Sequence, residues 1–262
     1  NDQLAYIDNN CSFTLPNYLD SINFNDNCDT ILNISQIPIS GSIINSDTLI
    51  TISATDVSGN TFSCSFNLML FDVIPPTITC PSNVVIDNDP VICGANYNYQ
   101  TPVGLDNCIS ITSLISGLPS GSIFPTGITT NIFQVSDSAG NIATCNFYVL
   151  VNDIESPIIN CPEDTSLLYN EDCLVEVPDF SNFLTYADNC GIESILQTPS
   201  YLDTSYNDFT TTFLVTDSSG NSETCTFNIS LYENFVADLI CPDDQSIELN
   251  ENCALLTPDF SN

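Results

Sequence analysis

Residues 133–153 read FQVSDSAGNIATCNFYVLVND. After the turn residues Gly140 and Asn141, apolar and polar side chains alternate along residues 145–151, which is the pattern of a β-strand with one buried face. Residues 133–137 alternate in the same way before the turn, so the segment predicts a hairpin in which Gly140 and Asn141 accept positive φ. No stretch of ten residues carries the apolar stripe of a helix, and the chain is therefore predicted to be all-β.

The end of this hairpin is repeated along the chain. The motifs DVSGNTFSC, DSAGNIATC and DSSGNSETC end at Cys64, Cys145 and Cys225. Three further cysteine columns recur with the same period: Cys80, Cys161 and Cys241, each followed by Pro; Cys11, Cys93, Cys173 and Cys253; and Cys28, Cys108 and Cys190, which end NDNC, LDNC and ADNC. The period is about 81 residues, which indicates tandem repeats with four cysteine columns each.

We divide the chain into four repeats on this basis. Residues 72–152 and 153–232 are the complete second and third repeats, and residues 1–71 and 233–262 are the partial first and fourth repeats. We number the cysteine columns by their order within a repeat, so that Cys80 is in the first column and Cys145 in the fourth. We expect the partners of Cys64, Cys241 and Cys253 to lie outside this fragment, although pairing between chains or free reactive thiols would also explain an odd number.

The charge excludes many classes of function. The 262 residues include 33 Asp and Glu but no Lys, Arg or His, for a formal net charge of -33. Nothing can neutralise phosphates, so nucleic acid and anionic membrane surfaces are not expected partners. Catalytic triads, Schiff bases and histidine metal ligands are impossible. Paired carboxylates remain, but the same acids recur in every repeat, and we predict that the protein is not an enzyme.

The cysteine content indicates the compartment. Thirteen cysteines in a chain that is 43% hydrophobic predict a folded protein with disulfides in an oxidising, extracytoplasmic setting. The longest apolar stretches, such as residues 147–151, are too short to span a membrane. The first residue is Asn with no signal-like segment behind it, so we expect any export signal outside this fragment or already removed.

An all-β repeat of this length with about seven short strands is most simply an Ig-like β-sandwich. The motifs PPTITCP, DNC, SGSIFPTGITT and FQVSDSAGNIATCNFYVLVND in residues 75–153 resemble the HYR (hyalin repeat) module, an Ig-like extracellular domain. This resemblance implies adhesion, surface display or architectural work. The fold expected is thus all-β: tandem Ig-like β-sandwich repeats, stapled by disulfides, in a rod-like array. Acidic four-cysteine arrays also resemble the giant surface adhesins of gliding bacteria exported by the type 9 system, which implies a bacterial cell surface.

Four cysteines per repeat allow three pairings. We favour the first column with the fourth, because both lie near the linker end of the repeat. The second and third columns are then left to pair with each other. The predicted disulfides are Cys80 with Cys145, Cys161 with Cys225, Cys93 with Cys108, Cys173 with Cys190, and Cys11 with Cys28.

No cofactor is required, but calcium is a candidate because oxygen ligands are abundant and the carboxylates lack side-chain cations. In an Ig-like repeat, the DNC and hairpin turns are expected beside the entering linker. The candidate ligands are Asp72, Asp106, Asn107, Asp137 and Asn141 in one set, and Asp153, Glu155, Asp188, Asn189, Asp217 and Asn221 in the other. The alternative is that these residues only form Asx turns, and no Asp-x-Asp-x-Asp-Gly loop is present.

The sequence predicts a stalk of an extracellular cell-surface adhesin or filament that presents a distal adhesive region and resists tension and proteolysis. The expected partners are neighbouring repeats of the same chain, and surface polysaccharide or other filaments. Alternatively, the repeats themselves bind glycan through Tyr97, Tyr99, Tyr201 and Tyr206. These tyrosines do not repeat in register, which favours a spacer.

Overall fold

The computed structural model describes residues 2–23 and 33–234. Within these residues the protein is all-β, with strands and two short 3-10 helices. The described residues divide into two compact units. The first contains the described parts of residues 1–158 together with 186–194 and 215–223, and the second contains 159–185, 195–214 and the described residues after 223.

The first repeat has a four-stranded sheet and a two-stranded ribbon. Its elements are β1 (Gln3–Tyr6), β2 (Phe13–Thr14), a 3-10 helix (Tyr18–Ser21), β3 (Asn33–Ile37), β4 (Ile43–Ile44), β5 (Thr48–Thr55) and β6 (Thr61–Phe71). The sheet order is β1-β6-β5-β3, and β2 pairs with β4. The first strand runs parallel to β6, whereas β5 and β6 form the antiparallel hairpin.

The second repeat has the same topology. Its strands are β7 (Val84–Asp87), β8 (Gly94–Tyr97), β9 (Ser110–Ser116), β10 (Ser122–Pro125), β11 (Gly127–Asp137) and β12 (Ile142–Asn152). The sheet order is β7-β12-β11-β9, and β10 pairs with β8. The predicted hairpin is therefore β11 and β12, which pair antiparallel from Gly127 opposite Val151 to Ser136 opposite Ile142.

The third repeat keeps this pattern and adds a small strand pair. Its elements are β13 (Ile158–Asn160), β14 (Thr165–Leu168), β15 (Val175–Glu176), a 3-10 helix (Ser181–Phe183), β16 (Thr185–Ala187), β17 (Ile192–Thr198), β18 (Thr204–Ser205), β19 (Phe209–Asp217) and β20 (Ser222–Tyr232). The sheet order is β14-β20-β19-β17, with β15 paired to β18 and β13 to β16.

The alternation read from the sequence gives the core of the second repeat. On β12, Phe147, Val149 and Val151 are buried, whereas Asn146 and Tyr148 between them are exposed. The buried side chains pack between the sheet and the ribbon in one cluster that comprises Ala95, Tyr99, Phe124, Phe133, Phe147, Val149 and Val151. The period-two pattern therefore identified the correct face of the strand.

The hairpin turn differs from the prediction in one respect. Gly59, Gly140 and Gly220 have φ of 91°, 94° and 92°, as expected. The following asparagines do not adopt positive φ. Instead, each asparagine bonds to the aspartate that opens the turn through both its backbone and its side-chain amide.

One disulfide closes each of the second and third repeats. Cys80 is bonded to Cys145 and Cys161 to Cys225, with Cα–Cα distances of 5.6 and 5.7 Å. These are the first-to-fourth pairings that the sequence predicted. Each bond fixes the segment before the opening strand to the last strand of the same sheet, so the ends of the repeat are held together covalently.

Candidate functional site

The candidate functional sites are the two junctions where successive repeats meet, because each junction brings several hydrogen-bonded polar side chains together. The first junction comprises Asp72, the loops at residues 8–12 and 106–108, and the hairpin turn at residues 137–141. The second junction comprises the equivalent Asp153 with residues 88–93, 188–190 and 217–221. All of these residues belong to the first compact unit.

An Asp–Asn pair organises the hairpin turn at each junction. Asp137 Oδ1 accepts from the backbone N–H of Asn141 at 2.8 Å, and its Oδ2 accepts from Asn141 Nδ2 at 2.7 Å. Asp217 and Asn221 repeat both bonds at 2.8 Å. Burial raises the pKa of Asp137, but the hydrogen bonds from Asn141 and the turn backbone outweigh it and leave the pKa below its ordinary value.

The same asparagines hold the linkers that enter the repeats. Asn141 Nδ2 also donates to the carbonyl oxygen of Asp72 at 3.1 Å, and Asn221 Nδ2 donates to that of Asp153 at 3.2 Å. Asp72 and Asp153 come directly after the last strands of the preceding repeats. The hairpin turn thus fixes the point at which the chain passes from one repeat to the next.

The DNC asparagines reach back to the preceding repeat. Asn107 Nδ2 donates to the Asp8 carbonyl oxygen at 3.1 Å, and Asn189 Nδ2 donates to the Ile92 carbonyl oxygen at 3.2 Å. The next residue in each motif is a third-column cysteine. These contacts place Cys108 and Cys190 beside the second-column cysteines of the repeat before.

The second and third cysteine columns pair between repeats. Cys11 is bonded to Cys108 and Cys93 to Cys190, with Cα–Cα distances of 5.0 and 4.8 Å and a sequence separation of 97 residues in both cases. These distances lie within the usual range for a disulfide. The predicted pairs Cys93 with Cys108, Cys173 with Cys190, and Cys11 with Cys28 are therefore wrong.

The length of strand β11 explains why the pairing within a repeat fails. Cys93 Sγ lies 3.4 Å from the hydroxyl of Thr126, immediately before β11 begins. Cys108 follows Asp106, whose carboxylate lies near that of Asp137 at the end of β11. A strand of 11 residues extends about 35 Å, so the two cysteines lie at opposite ends of the repeat.

Five cysteines are in none of these four disulfides. The sequence predicted partners outside the fragment for Cys64, Cys241 and Cys253, and partners within it for Cys28 and Cys173. Cys64 and Cys173 are exposed and have no sulfur partner among the described residues. Cys28, Cys241 and Cys253 lie outside the described residues.

Three carboxylates converge at each junction. Asp72, Asp106 and Asp137 each offer a carboxylate oxygen, and these atoms all lie within 4.8 Å of one another. Asp153, Asp188 and Asp217 form the same arrangement in the second junction. We call these groups the first and second acidic clusters. The sequence predicted that these turns lie beside the entering linker, and the structure brings the six aspartates together in two such groups.

Each cluster also contains the Asx turns of the alternative prediction. Asp72 Oδ1 accepts from the N–H of Ile74 at 3.0 Å, and Asp106 Oδ2 accepts from that of Cys108 at 3.1 Å. Asp188 Oδ2 accepts from the N–H groups of Cys190 and Gly191, at 2.6 and 2.9 Å. In Asp72, Asp106 and Asp188, one carboxylate oxygen is thus used in a local turn and the other is not.

Several of those other oxygens have no donor. Asp72 Oδ2, Asp106 Oδ1 and Asn107 Oδ1 in the first junction, and Asp188 Oδ1 in the second, are enclosed and lack a hydrogen-bond partner among the described residues. Enclosed oxygens of this kind are unfavourable unless something compensates their charge.

Glu155 has a different role from the one predicted for it. Its Oε2 accepts from Val91 N–H at 2.9 Å and from Asn88 Nδ2 at 3.2 Å, and Glu155 is not among the three residues of the second acidic cluster. Asn88 also accepts from the N–H of Ile154 at 3.1 Å. The repeat pattern could not identify Asn88, because the equivalent positions are Ile7 and Tyr169.

The tyrosines considered for glycan binding differ in burial. Tyr99 is only 8% exposed and belongs to the core of the second repeat, where its ring packs edge-to-face on Phe147 at 4.9 Å. Tyr97 packs against Phe124 in the same core, whereas Tyr201 and Tyr206 are exposed. Tyr99 is thus a core residue and is not available to contact a glycan.

Comparison with protein families agrees with the motifs of the second repeat. Residues 71–151 match the model described as the HYR domain. "Hyalin" of Strongylocentrotus purpuratus is 29% identical over 223 residues, which cover 78% of this chain and 18% of hyalin. The "Sushi, von Willebrand factor type A, EGF and pentraxin domain-containing protein 1" of Rattus norvegicus is 28% identical over 199 residues, 70% of this chain and 5% of that protein. The chain therefore spans less than a fifth of the length of these relatives.

Solved structures with weak similarity include cadherins. The crystal structure of Drosophila N-cadherin EC1-3 is 10% identical with a TM-score of 0.35, over 89% of this chain and 98% of that one. Human CDH23 EC21-23 is 12% identical with a TM-score of 0.32, over 72% and 78% of the two chains.

None of the helices in the described ranges has the length and apolar character needed to cross a membrane.

Proposed function

We propose that this chain is a load-bearing stalk segment of an extracellular adhesin or filament, in which neighbouring repeats are linked by disulfides as well as by the backbone. The observation that carries the proposal is the pair of disulfides between repeats, Cys11–Cys108 and Cys93–Cys190. A disulfide that only stabilised a single domain would not need to reach into the next one.

Tension has two covalent routes through each repeat. One route follows the backbone linker from Cys145 to Cys161, and the disulfides Cys80–Cys145 and Cys161–Cys225 let it bypass the interior of the repeats. The other route enters the second repeat from Cys11 through the disulfide to Cys108 and follows the backbone from Cys108 back to Cys93. It then leaves through the disulfide from Cys93 to Cys190. Both routes exclude most of the residues of a repeat, so unfolding the core would add little length while the disulfides hold.

The composition supports a location outside the cell. Four disulfides among the described residues require an oxidising compartment in most organisms. The absence of Lys and Arg leaves trypsin-like proteases without a cleavage site, and the charge of -33 makes neighbouring chains repel one another. On the resemblance to adhesins of gliding bacteria, we propose a bacterial cell surface as the setting, with surface polysaccharide or other filaments as partners.

Single-molecule pulling tests the load-bearing role. Between Cys11 and Cys225, the shortest oxidised route contains only residues 93–108 and 161–190, and it extends to about 150 Å when the backbone is fully stretched. The reduced chain between the same residues extends to about 750 Å.

We expect the oxidised protein to stop near the shorter length and to reach the longer one only after a thiol is added. A protein that extends to nearly its full contour without a thiol would contradict the proposal. Binding of the oxidised chain to a glycan array would instead favour repeats that adhere directly, because a spacer should bind no glycan.

A further inference from the structure

The two acidic clusters lack the compensation that buried carboxylates normally have. Asp137 and Asp217 are buried, and the carboxylate oxygens of each trio lie within 4.8 Å of one another. No lysine, arginine or histidine exists anywhere in the chain to neutralise them. Carboxylates this close repel one another when they are ionised and partly shielded from water.

The hydrogen bonds around the clusters do not remove this repulsion. Turn N–H groups and polar side chains satisfy one oxygen each of Asp72, Asp106 and Asp188. They satisfy both oxygens of Asp137, Asp153 and Asp217. Enclosed oxygens of Asp72, Asp106, Asn107 and Asp188 still lack any donor among the described residues. A bound cation would satisfy these oxygens and offset the charge, and the repulsion makes such a cation more favourable.

We propose that each junction binds one calcium ion, held by Asp72, Asp106, Asn107 and Asp137 at the first junction and by Asp153, Asp188 and Asp217 at the second. The ligands come from three segments: the linker, the DNC loop and the hairpin turn. The ion would therefore tie together the parts of the chain that meet where one repeat follows another. This inference does not rest on the proposed stalk function, because it concerns local chemistry only.

The chemistry of the ligands favours calcium over other metals. All candidate ligands are oxygen atoms of carboxylates and an amide, as hard divalent cations require. Zinc and copper sites normally use histidine or thiolate sulfur; the chain has no histidine, and Cys108 and Cys190 beside the clusters are in disulfides. Calcium takes six to eight oxygen ligands in flexible geometry, whereas magnesium requires a stricter octahedron.

Equilibrium dialysis of the oxidised full chain against calcium-45 tests the proposal. The experiment should use about 0.15 M NaCl, because salt at this level screens diffuse binding to the acidic surface. The test variants are Asp106→Asn and Asp188→Asn, which remove a charged oxygen but keep an oxygen for the Asx turn. Asp56→Asn is the control for loss of a turn carboxylate outside the clusters. Asp56 makes with Asn60 the pair of bonds that Asp137 makes with Asn141 but belongs to neither cluster.

We expect Asp106→Asn and Asp188→Asn each to lose one saturable calcium per chain, by weakening that site at least tenfold, and the double variant to lose two. Asp56→Asn should bind as much calcium as the wild type. Calcium binding that is unchanged in both test variants, or that falls equally in the Asp56→Asn control, would overturn the proposal.

Thermal unfolding provides a second measurement that also reports whether the variants fold. A chelator should lower the Tm of the wild type, since a ligand that binds only the folded state stabilises it, but should lower that of the double variant by much less. Equal effects of the chelator on both proteins would contradict calcium sites at these aspartates. If calcium binding fails but pulling still shows limited extension, the stalk function stands and only the metal sites are refuted.

Discussion

At the scale of single residues, this fold satisfies several of its carboxylates with amide donors, since it has no side-chain cations. Asp56, Asp137 and Asp217 each receive a backbone N–H and a side-chain amide from the asparagine that ends the same turn. Asp164 uses the same device between two strands, because its oxygens accept from Asn228 N–H at 2.7 Å and Asn228 Nδ2 at 3.2 Å. A chain with no Lys, Arg or His can therefore order its acidic side chains without ion pairs.

The Asp164 contact makes stability depend on pH. The hydrogen bonds from the Asn228 backbone and side chain lower the pKa of Asp164 below 3.8. Because the folded pKa is the lower one, the contribution is present above pH 3.8 and is lost as pH falls through the folded value. We expect Asp164→Asn to lower the Tm at pH 7, and the difference from wild type to shrink towards pH 2.

Thermal unfolding at pH 7, 4, 3 and 2 measures this difference. Glu171→Gln is the control, because the Glu171 side chain is exposed and has no hydrogen bond among the described residues. A Tm difference for Asp164→Asn that stays constant across the pH range would refute the assignment.

At the scale of secondary structure, the closing hairpin supplies one wall of the core. The pleat of β12 puts Phe147, Val149 and Val151 on the inner face, where Phe147 stacks beside Phe133 of β11 at 6.5 Å between ring centres. The third repeat has the same pair in Phe213 and Phe227, also at 6.5 Å. The alternation of inward and outward side chains along the strand therefore places equivalent residues in the core each time the repeat recurs.

Phe147 and its neighbour Tyr148 test this alternation. Phe147 is 1% exposed, whereas Tyr148 on the opposite face is 36% exposed. We expect Phe147→Ala to lower the free energy of unfolding by about 3–5 kcal/mol, since it removes a buried ring and leaves a cavity, and Tyr148→Ala to lower it by about 1 kcal/mol or less. Urea unfolding of the oxidised proteins measures both. Similar losses for the two variants would show that the faces of β12 are not distinct.

At the scale of the whole molecule, the disulfides turn the repeats into a covalent network. Two of the four bonds join residues of the same repeat, and two join a repeat to the next. The hydrogen bonds of Asn107 and Asn189 to the preceding repeat lie beside the two disulfides that join repeats. Cutting the backbone in a linker should therefore leave the repeats on both sides attached to each other.

A single introduced arginine tests this network, because the natural chain has no site for trypsin. Ile154 lies in the linker after β12 and its side chain is 60% exposed, so Ile154→Arg creates one cleavage site between Cys93 and Cys190. We expect trypsin to cut this variant after unfolding in urea without a thiol, with free cysteines blocked. The products, residues 1–154 and 155–262, should migrate as one band without reductant and as two bands with it.

The control adds Cys93→Ser and Cys190→Ser to Ile154→Arg, and its two products should separate without reductant. Separation of the products in the Ile154→Arg variant alone would restore the pairing within repeats and refute the covalent link.

The sequence alone determined which residues alternate and where the hairpin turns. These properties depend on neighbours in the chain or on a simple period. It also predicted that Asp72, Asp106 and Asp137 would meet, since all three lie at the entering end of an Ig-like repeat. Only the tertiary structure decided that Cys93 bonds to Cys190 rather than to Cys108. Cys108 and Cys190 belong to the same column, and a periodic sequence cannot distinguish them. The length of β11 distinguishes them, because this strand separates Cys93 from Cys108 by the full height of a repeat. The next repeat instead brings Cys190 within bonding distance of Cys93.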